Sequence, residues 1–427
     1  MMPLRMCGIG STTSKSARLV STGFAALLAL SALGMRPVQD AATGKSADTQ
    51  PSPTWVSISD DVLKTLTDAG RKIGYPGVQA GWYGTLVHYD VQGNERWSHH
   101  TPLRIEATEK TQVISDGRGG AILAAAEASK AGQSVLFFHY DTDGTLMRQW
   151  RYPASGDAKV AFVRMCSPSR GLLVACGKIV HEKRSTAEGN SDWVTLCYDM
   201  DGNLRWEKFC DGPMHGSDAP SAIGYDRDGD VFVAGVFSIG HIDDGTAALC
   251  PAVVKYSPDG QSQWVRWYAP LKGDLEVFNL TVANDGSSVT LAGKALTLER
   301  CFGAFALAFS GNGVLIQMHR NQMPSGYRSS VARAAYLMDD NRLLMVEDIS
   351  PLPAEKFLEK TEMALNWSDM EGQDRTLYAY PRQKRKGGWV IPRATLKNLD
   401  SVFTCGRIPL SDQESAFMVV SFPHSLP

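Results

Sequence analysis

The sequence predicts an all-β fold, a β-propeller of four-stranded antiparallel blades, and three observations support it. One short phrase recurs along the chain: an apolar strand, an acidic or small residue, a glycine turn and usually a tryptophan. Its turn glycines return after roughly 50 to 60 residues, a period that is typical of propellers and solenoids. A second type of hairpin, which ends in a small residue and often in glycine, alternates with the first. The turn glycines of the phrase are Gly93, Gly144, Gly202, Gly260 and Gly313.

The amino-terminal segment differs in composition from the rest of the chain. Arg5, Lys15 and Arg18 form a basic leader, and residues 19–33 are apolar and rich in alanine and leucine. This pattern predicts a secretory signal peptide over residues 1–34. A retained membrane anchor is the alternative, but the apolar run of about 15 residues is shorter than the ~20 that span a bilayer. We therefore expect a cleaved chain with no membrane span, secreted or in the periplasm of the cell envelope.

Residues 35–78 are predicted to be a linker followed by a short helix. The part before residue 54 is polar and flanked by prolines, as flexible linkers are. Over residues 60–71, apolar side chains recur at helical spacing behind Ser59 and Asp60, which are both good N-caps. We expect this helix to pack against the propeller, without a chemical role.

Residues 79–427 are predicted to form the propeller. Two hairpins make the four strands of one blade, and a period of about 57 residues gives six blades. The first hairpin of this region is the tryptophan type and the last complete one is the other type. N-terminal strands are therefore expected to pair with C-terminal ones, with residues 417–422 as a closing strand. A seven-bladed ring, with a first blade built around residues 55–59, is the alternative.

Two pairs of segments carry a resemblance to a known family. Residues 251–264 with 282–293, and residues 195–206 with 225–235, resemble the SBBP-type β-propeller repeat of bacterial extracellular proteins. The resemblance covers residues 86–293 and fades afterwards. It implies the fold and an extracellular location, but no particular activity, because that repeat family has no single one.

Two other propeller repeats are more distantly similar. The spacing Asp-x-x-Gly-x-x-x-Trp at residues 90–97 and 199–206 resembles the repeat of pyrroloquinoline quinone enzymes, or quinoproteins. The threonine before the glycine and the vicinal cysteine pair of those enzymes are missing. Residues 257–264 resemble a sialidase Asp-box with its glycine one residue early. An acidic turn followed by an aromatic residue that packs between blades explains both similarities, so no cofactor is predicted.

Charge, acidic turns and cysteines argue against several classes of site. A net charge of −2 gives no general electrostatic reason to bind nucleic acid or an anionic membrane. The turns at residues 141–144, 199–203 and 226–230 bunch acidic residues, but their glycine comes fourth, whereas an EF-hand requires it sixth. These acids are interpreted as turn residues, and no metal is predicted. Seven of the eight cysteines follow the signal segment, an odd number that leaves at least one thiol unpaired within the chain.

The connections between hairpins are the first predicted binding surface. They vary in length on one face of the propeller, and variable loops on a rigid scaffold are where binding sites usually lie. Asp157, Asp218 and Asp274 occupy the same connection in three successive blades, just before the innermost strand. They are candidates to surround the mouth of the central channel and hold a sugar, a peptide or a cation. The alternative is that each carboxylate accepts backbone N–H groups and links neighbouring blades.

A basic loop near the carboxyl end is the second predicted binding surface. Arg382, Lys384 and Arg385 lie close in sequence to Trp389. This mixture of charge and aromatic surface suits a polyanionic glycan or an acidic protein partner. A solvated surface insertion is the alternative.

Together these patterns predict an exported, non-catalytic propeller that binds or scaffolds a protein or a glycan in the cell envelope. No histidine or nucleophile stands at a catalytic spacing, so no catalytic residue is predicted. An extracellular hydrolase or lyase acting on carbohydrate at the channel mouth is the alternative. Acids with perturbed pKa values and a histidine in a deep central pocket would favour the enzyme. A plugged channel with exposed aromatic side chains on the loop face would favour the binding module.

Overall fold

A computed structural model describes the chain in separate ranges between residues 55 and 423. The described ranges are 55–59, 83–89, 95–104, 111–116, 118, 120–129, 132–152, 158–168, 171–181, 191–241, 247–271, 273–296, 302–320, 327–338, 341–351, 362–368, 374–379, 391–397, 401–409 and 415–423. The predicted signal peptide and the predicted helix lie outside these residues. Within them every regular element is a β-strand, in agreement with the predicted all-β fold. In the same residues no helix is long and apolar enough to cross a membrane.

The described residues form 26 strands. In chain order they are β1 (Trp55–Ser59), β2 (Tyr83–Tyr89), β3 (Glu95–Arg104), β4 (Thr111–Ser115), β5 (Ala121–Ser129), β6 (Gly132–Tyr140), β7 (Leu146–Tyr152), β8 (Ala158–Cys166), β9 (Leu172–His181), β10 (Ser191–Asp199), β11 (Leu204–Cys210), β12 (Ala219–Tyr225), β13 (Val231–His241), β14 (Ala247–Tyr256), β15 (Ser262–Trp267), β16 (Leu275–Val282), β17 (Ser288–Leu296), β18 (Phe302–Ser310), β19 (Leu315–Arg320), β20 (Tyr327–Leu337), β21 (Leu343–Pro351), β22 (Glu362–Ser368), β23 (Asp374–Ala379), β24 (Ile391–Lys397), β25 (Ser401–Pro409) and β26 (Ser415–Pro423).

Most strands assemble into antiparallel units of four, in which each strand pairs with the one before it in the chain. We name them unit I (β4–β7), unit II (β8–β11), unit III (β12–β15), unit IV (β16–β19) and unit V (β20–β23). Units IV and V are joined by a single parallel pair between Phe302 and Ser329. Unit VI consists of β24, β25, β26 and β1, and β2 pairs with β3 as a separate hairpin.

Successive units contact each other through their first strands. Strand β8 contacts β12, β12 contacts β16, β16 contacts β20, and β20 contacts β24. Four-stranded meanders arranged in this way around their first strands are the architecture of a β-propeller. The described part of the chain is therefore an all-β fold of the propeller type.

Unit VI joins the two ends of the described chain. Strand β1 pairs antiparallel with β26 from Trp55 opposite Ser421 to Ser59 opposite Phe417. Pairing of N-terminal with C-terminal strands is what the order of hairpin types predicts. The structure differs from the prediction in the strand that closes the unit. Strand β26, predicted to close it, is the third strand, and β1 is the fourth. Residues 55–59, which the sequence analysis assigns to the linker, form the fourth strand of the last unit and do not begin a first blade.

A repeated β-bulge marks the first strand of five units. The register shifts at equivalent places in β8, β12, β16, β20 and β24, where one extra residue stands opposite the second strand. A bulge of this kind bends its strand and increases the local twist. Because β20 and β24 carry it too, the repeat continues beyond residue 293, where the sequence resemblance fades.

The tryptophan and the glycine of the recurrent phrase are complementary parts of one contact between units. Gly260 has a φ of 82°, and a Cβ added there would lie 2.7 Å from the ring of Trp206 in the preceding unit. Nε1 of Trp206 donates to the carbonyl oxygen of Pro258 at 3.0 Å. Both the positive φ and the Trp206 ring therefore disfavour any side chain at position 260. The phrase recurs because each tryptophan needs the turn of the next unit.

The acidic residues of the hairpin turns serve the backbone. Oδ1 of Asp199 accepts the N–H groups of Asp201 at 3.0 Å and Asn203 at 2.9 Å. Asp141 and Asp226 make the same pair of bonds in their own turns. This is the turn role that the sequence predicts for these acids.

Thiols concentrate in the core between units II and III. All five cysteines with described side chains are free, and all but Cys210 are buried. The five, which pack in one apolar cluster, are Cys166, Cys176, Cys197, Cys210 and Cys250. Their role here is packing, as expected of small apolar side chains in a strand.

Candidate functional site

The units present two different ends. The turn face holds the short turns inside each hairpin, including Gly202, Gly229 and Gly260, whose φ angles are all positive. The loop face holds the connections between hairpins. Two described connections lie there: residues 211–218 join β11 to β12, and residues 268–274 join β15 to β16.

Asp218 lies on the loop face immediately before β12 and is fully buried. Its Oδ2 accepts the N–H of Gly212 at 2.5 Å, and its Oδ1 accepts the N–H of Ser238 at 2.7 Å. Its own N–H donates to the carbonyl oxygen of Ser191 in unit II at 2.8 Å. A Cβ at position 212 would lie 2.8 Å from the carboxylate, so the local sequence requires glycine there. Asp218 thus holds its loop against β13 and joins units II and III.

Two further carboxylates and two histidines surround Asp218. One oxygen from each of Asp192, Asp211 and Asp218 lies within 4.8 Å of the others. Nε2 of His181 lies 2.9 Å from Oδ2 of Asp192, and Nδ1 of His215 lies 2.7 Å from Oδ2 of Asp211. His215 has a φ of 52°, a conformation that is uncommon for a residue other than glycine. We call these five residues the carboxylate–histidine cluster.

Burial dominates the electrostatics of the cluster. It raises the pKa of Asp218 to about 6, the N–H groups of Ser238 and Gly212 act in the opposite direction, and the charges of Asp211 and Asp192 raise it further. Burial also lowers the pKa of Lys178, against the attraction of the Asp218 charge. The protonation of Asp218 therefore changes close to neutral pH.

The chemistry available to the cluster is limited by bonds already made. Both oxygens of Asp218 accept backbone N–H groups, and Asp192 and Asp211 each bind a histidine. Three carboxylates this close suit a divalent cation in ligand type. Asp218 and Asp192 are nevertheless buried, whereas Asp211 and His215 are exposed to solvent.

The residues predicted from the sequence fall in three different situations. Asp218 is inside the cluster. Asp274 occupies the equivalent position before β16 but is exposed, and its carbonyl oxygen accepts the N–H of Leu296 at 2.8 Å. The remaining predicted residues, which lie outside the described ranges, are Asp157, Arg382, Lys384, Arg385 and Trp389. Asp218 and Asp274 therefore stand at equivalent positions of successive units but differ in exposure, the first buried and the second exposed.

Exposed apolar side chains accompany the cluster on the loop face. Phe209 is 55% exposed, Met214 is 57% exposed and Trp267 is 45% exposed. Trp267 packs against tilted rings: the centroid of its ring is 6.5 Å from that of Phe237, which is 4.8 Å from that of Trp193 in unit II. Phe209 stands near the loop-face end of β11, Met214 in the connection that follows it, and Trp267 at the loop-face end of β15; we call these three residues the loop-face patch. Trp193 and Phe237, which support Trp267, are each 1% exposed.

Sequence reasoning did not select Asp192, Asp211, His181 or His215. One signal was available, since Asp211 and His215 are four residues apart within one connection. The pairing of His181 with Asp192 spans the connection from β9 to β10 and has no local pattern. Trp267 was not selected either, because it lies three residues after Trp264, the tryptophan of the repeat, in the same predicted strand.

Comparisons with known proteins give only structural likenesses. No family model matches the chain, and no curated protein matches it. A Trypanosoma rangeli sialidase in complex with the inhibitor DANA is 10% identical with a TM-score of 0.40, over 79% of this chain and 57% of the sialidase. A protein of unknown function from Bacteroides caccae is 9% identical with a TM-score of 0.33, over 69% and 85%. A Synechocystis apocarotenoid oxygenase mutant is 9% identical with a TM-score of 0.36, over 60% and 57%.

The chain thus spans 57% of the length of the sialidase that it matches. At these scores the likenesses support no statement about activity, and the architecture rests on the pairing of the strands.

Proposed function

We propose that this chain is an exported, non-catalytic propeller that binds a protein or glycan partner through its loop face. Export is supported by the basic leader and the apolar run of residues 1–34. The resemblance to SBBP-type repeats supports the same location. The proposed site of action is the periplasm, the cell surface or the surrounding medium.

The observation that carries this proposal is the loop-face patch. Trp267, Met214 and Phe209 keep about half of their surface in water. Aromatic residues and methionine are enriched at protein interfaces, and exposed tryptophan and phenylalanine rings also stack on sugars. Trp267 packs against buried Phe237, which packs against buried Trp193, and this support lowers the entropic cost of ordering its ring on binding.

The carboxylate–histidine cluster supplies the polar centre beside the patch. Asp211 and His215 are exposed and face a partner with one acceptor and one donor group. Buried Asp218 and Asp192 form the frame that fixes the connection. In this proposal Asp218 has the structural role, and Asp274, Asp157 and the loop of Arg382 to Trp389 are further contact sites around the same face.

We further propose a ring of seven blades. Unit VI already has its four strands, since β1 completes it. The hairpin β2–β3 corresponds to the third and fourth strands of another unit, because it is the tryptophan type. This arrangement supports seven blades over the six that the period gives, with the additional blade around β2–β3 and not around residues 55–59, which belong to unit VI.

A carbohydrate-active hydrolase or lyase is the second candidate function. The observation in its favour is a carboxyl group of raised pKa, Asp218, within 4.8 Å of two other carboxylates. General acids of glycosidases have such pKa values. Asp218 has no exposed surface, however, so a substrate would have to displace the bonds to Gly212 and Ser238.

The test is capture of partners from an envelope extract by the mature protein. The double variant Met214→Ser and Trp267→Ser removes two members of the patch. Leu146→Ser with Met147→Ser is the matched control, because those side chains are 46% and 55% exposed but lie beside a hairpin turn on the turn face. We expect a partner that the wild type and the control retain and that the patch variant loses by at least about tenfold. Equal capture by all three proteins would refute the proposal.

A further inference from the structure

One position of the repeat is occupied differently in successive units. His139, Cys197 and Lys255 all stand in the third strand of their units, immediately before the register shift with the fourth strand. Ala308 holds the same place in unit IV and is fully buried. The side chain at this position points toward the turn between the first and second strands, as the bonds of His139 and Lys255 show.

Units I and III each place a basic side chain against a carboxylate there. Nε2 of His139 lies 3.0 Å from Oδ2 of Asp116. Nζ of Lys255 lies 2.8 Å from Oδ2 of Asp230, and 5.0 Å from the centre of the Phe232 ring. Lys255 is 8% exposed, so its four methylenes and its ammonium group are accommodated between units III and IV. The interface between units III and IV therefore accommodates an alkylammonium group, which the chain itself supplies as the side chain of Lys255.

Unit II has a cavity where units I and III have the basic side chain. Cys197 and Val174, both 1% exposed, lie at the bottom of a pocket of about 230 Å³ on the turn face. Pro168 and Pro258 contribute apolar walls from units II and III, and Asp228 stands exposed at the rim. The cysteine side chain has three heavy atoms fewer than the lysine side chain, which leaves the pocket open.

The acidic partner also comes from a different place in unit II. The positions of Asp116 and Asp230 are held by Ser167 and Gly171, so unit II has no carboxylate of its own there. The carboxylate on the pocket is Asp228, supplied by the turn of unit III. Burial raises the pKa of the Cys197 thiol to about 12, so the bottom of the pocket is neutral. At the rim, Oδ1 of Asp228 lies 3.7 Å from Nε of Arg227 in an exposed pair, so an ammonium group at Asp228 competes with a weak ion pair.

We propose that this pocket binds a primary alkylammonium group, with the alkyl chain between Pro168 and Pro258 and the nitrogen at Asp228. The group reproduces from outside what Lys255 supplies internally one unit further on. Its source is either a free small amine or a lysine side chain of a partner protein, since both present the same chain and charge. The site lies on the turn face and is separate from the loop-face patch.

The experiment measures ligand binding to the full mature chain by saturation-transfer difference NMR. The probes are n-butylamine, ethylamine, butan-1-ol and an acetylated, amidated Gly-Lys-Gly peptide. We expect n-butylamine to bind saturably and ethylamine to bind about fifteen-fold more weakly, since each buried methylene contributes about fourfold. Butan-1-ol, which lacks the charge, should bind more weakly than n-butylamine. Binding of the peptide indicates a lysine side chain as the source, and binding of n-butylamine without the peptide indicates a free amine.

Three variants test the assignment to this pocket. Asp228→Asn should reduce n-butylamine affinity to that of butan-1-ol without affecting folding, because the carboxylate is exposed. Asp285→Asn is the matched control, because Asp285 is also exposed and also precedes a turn glycine of positive φ, Gly286. Cys197→Lys should fill the pocket and abolish binding of every probe.

Several outcomes would overturn the proposal. They are the absence of saturable amine binding, equal affinity for n-butylamine and butan-1-ol, and an Asp228→Asn variant that binds as the wild type does. An equal loss in the Asp285→Asn control would do the same, because it would show general attraction to an acidic surface.

Discussion

Replacement of Asp218 by asparagine should change how the stability of the fold depends on pH. The pKa of Asp218 is about 6 in the folded chain, against about 3.9 for an aspartate in an unfolded chain. A carboxyl group whose pKa rises on folding stabilises the fold fully below pH ~4, and this contribution disappears as the pH rises through ~6. The difference of about two pKa units corresponds to ~3 kcal/mol between these limits.

Asparagine removes this titration and also one acceptor. Its single carbonyl oxygen can serve either Gly212 or Ser238, and leaving the other N–H without an acceptor costs about 1–3 kcal/mol. At pH 4 the Asp218→Asn variant should therefore be less stable than the wild type by about 1–3 kcal/mol. At pH 7.5 the balance moves by ~3 kcal/mol toward the variant, which should then equal or exceed the wild type.

The assay is urea unfolding followed by far-UV circular dichroism between pH 4 and pH 7.5 at constant ionic strength. Asp274→Asn is the control, because Asp274 occupies the matched position before β16 but is exposed. A difference in unfolding free energy between wild type and Asp218→Asn that is the same at every pH would refute the reasoning. So would a wild type that gains stability over the variant as the pH rises.

Three further predictions concern the frame that carries the two faces. Gly260→Ala should lower the free energy of unfolding, measured in urea, by about 2–4 kcal/mol. Gly240→Ala should lower it by only about 1 kcal/mol, because Gly240 has a positive φ but no atom lies within 4 Å of an added Cβ. Equal losses in the two variants would contradict the contact with the Trp206 ring. Lys255→Met should lower the free energy of unfolding by about 3–5 kcal/mol, because it leaves the charge of the Asp230 carboxylate without its ammonium partner. A loss under about 1 kcal/mol would show that water solvates the carboxylate in place of the ion pair. Iodoacetamide labelling mapped by mass spectrometry should modify the five described thiols slowly in the folded chain, with Cys210 first, and quickly in urea; fast labelling of the buried thiols at rates equal to those in urea would contradict their burial.

The repeat could be predicted because its signals are local. Gly260 indicates the turn through its residue type, and Trp206 indicates the contact between units because four of the five copies of the repeat have a tryptophan after the turn. The pairing of β1 with β26 could be anticipated from the order of hairpin types, but not the strand that makes it. Residues 55–59 and 417–421 are far apart in sequence, and nothing near them specifies their register.

The site was less predictable, because side-chain direction in the connections depends on their conformation. Asp218 and Asp274 precede equivalent strands, yet one is buried and the other exposed. The connection before Asp218 turns through Gly212 and the positive φ of His215, whereas Gly273, with a φ of 126°, stands next to Asp274. The repeat specifies where each acid stands in the chain, and the individual connection decides which way the carboxylate points.

The most direct test of the central claim is hydrogen–deuterium exchange of the mature chain, alone and with the fraction that it captures from an envelope extract. A partner on the loop face should slow exchange in residues 208–218 and 264–274, around the loop-face patch and the carboxylate–histidine cluster. The hairpin turns at residues 141–145 and 310–314, which do not line the turn-face pocket, should exchange at the same rate in both samples. Protection confined to those turns, with unchanged exchange around Met214 and Trp267, would contradict the assignment of the loop face as the binding surface.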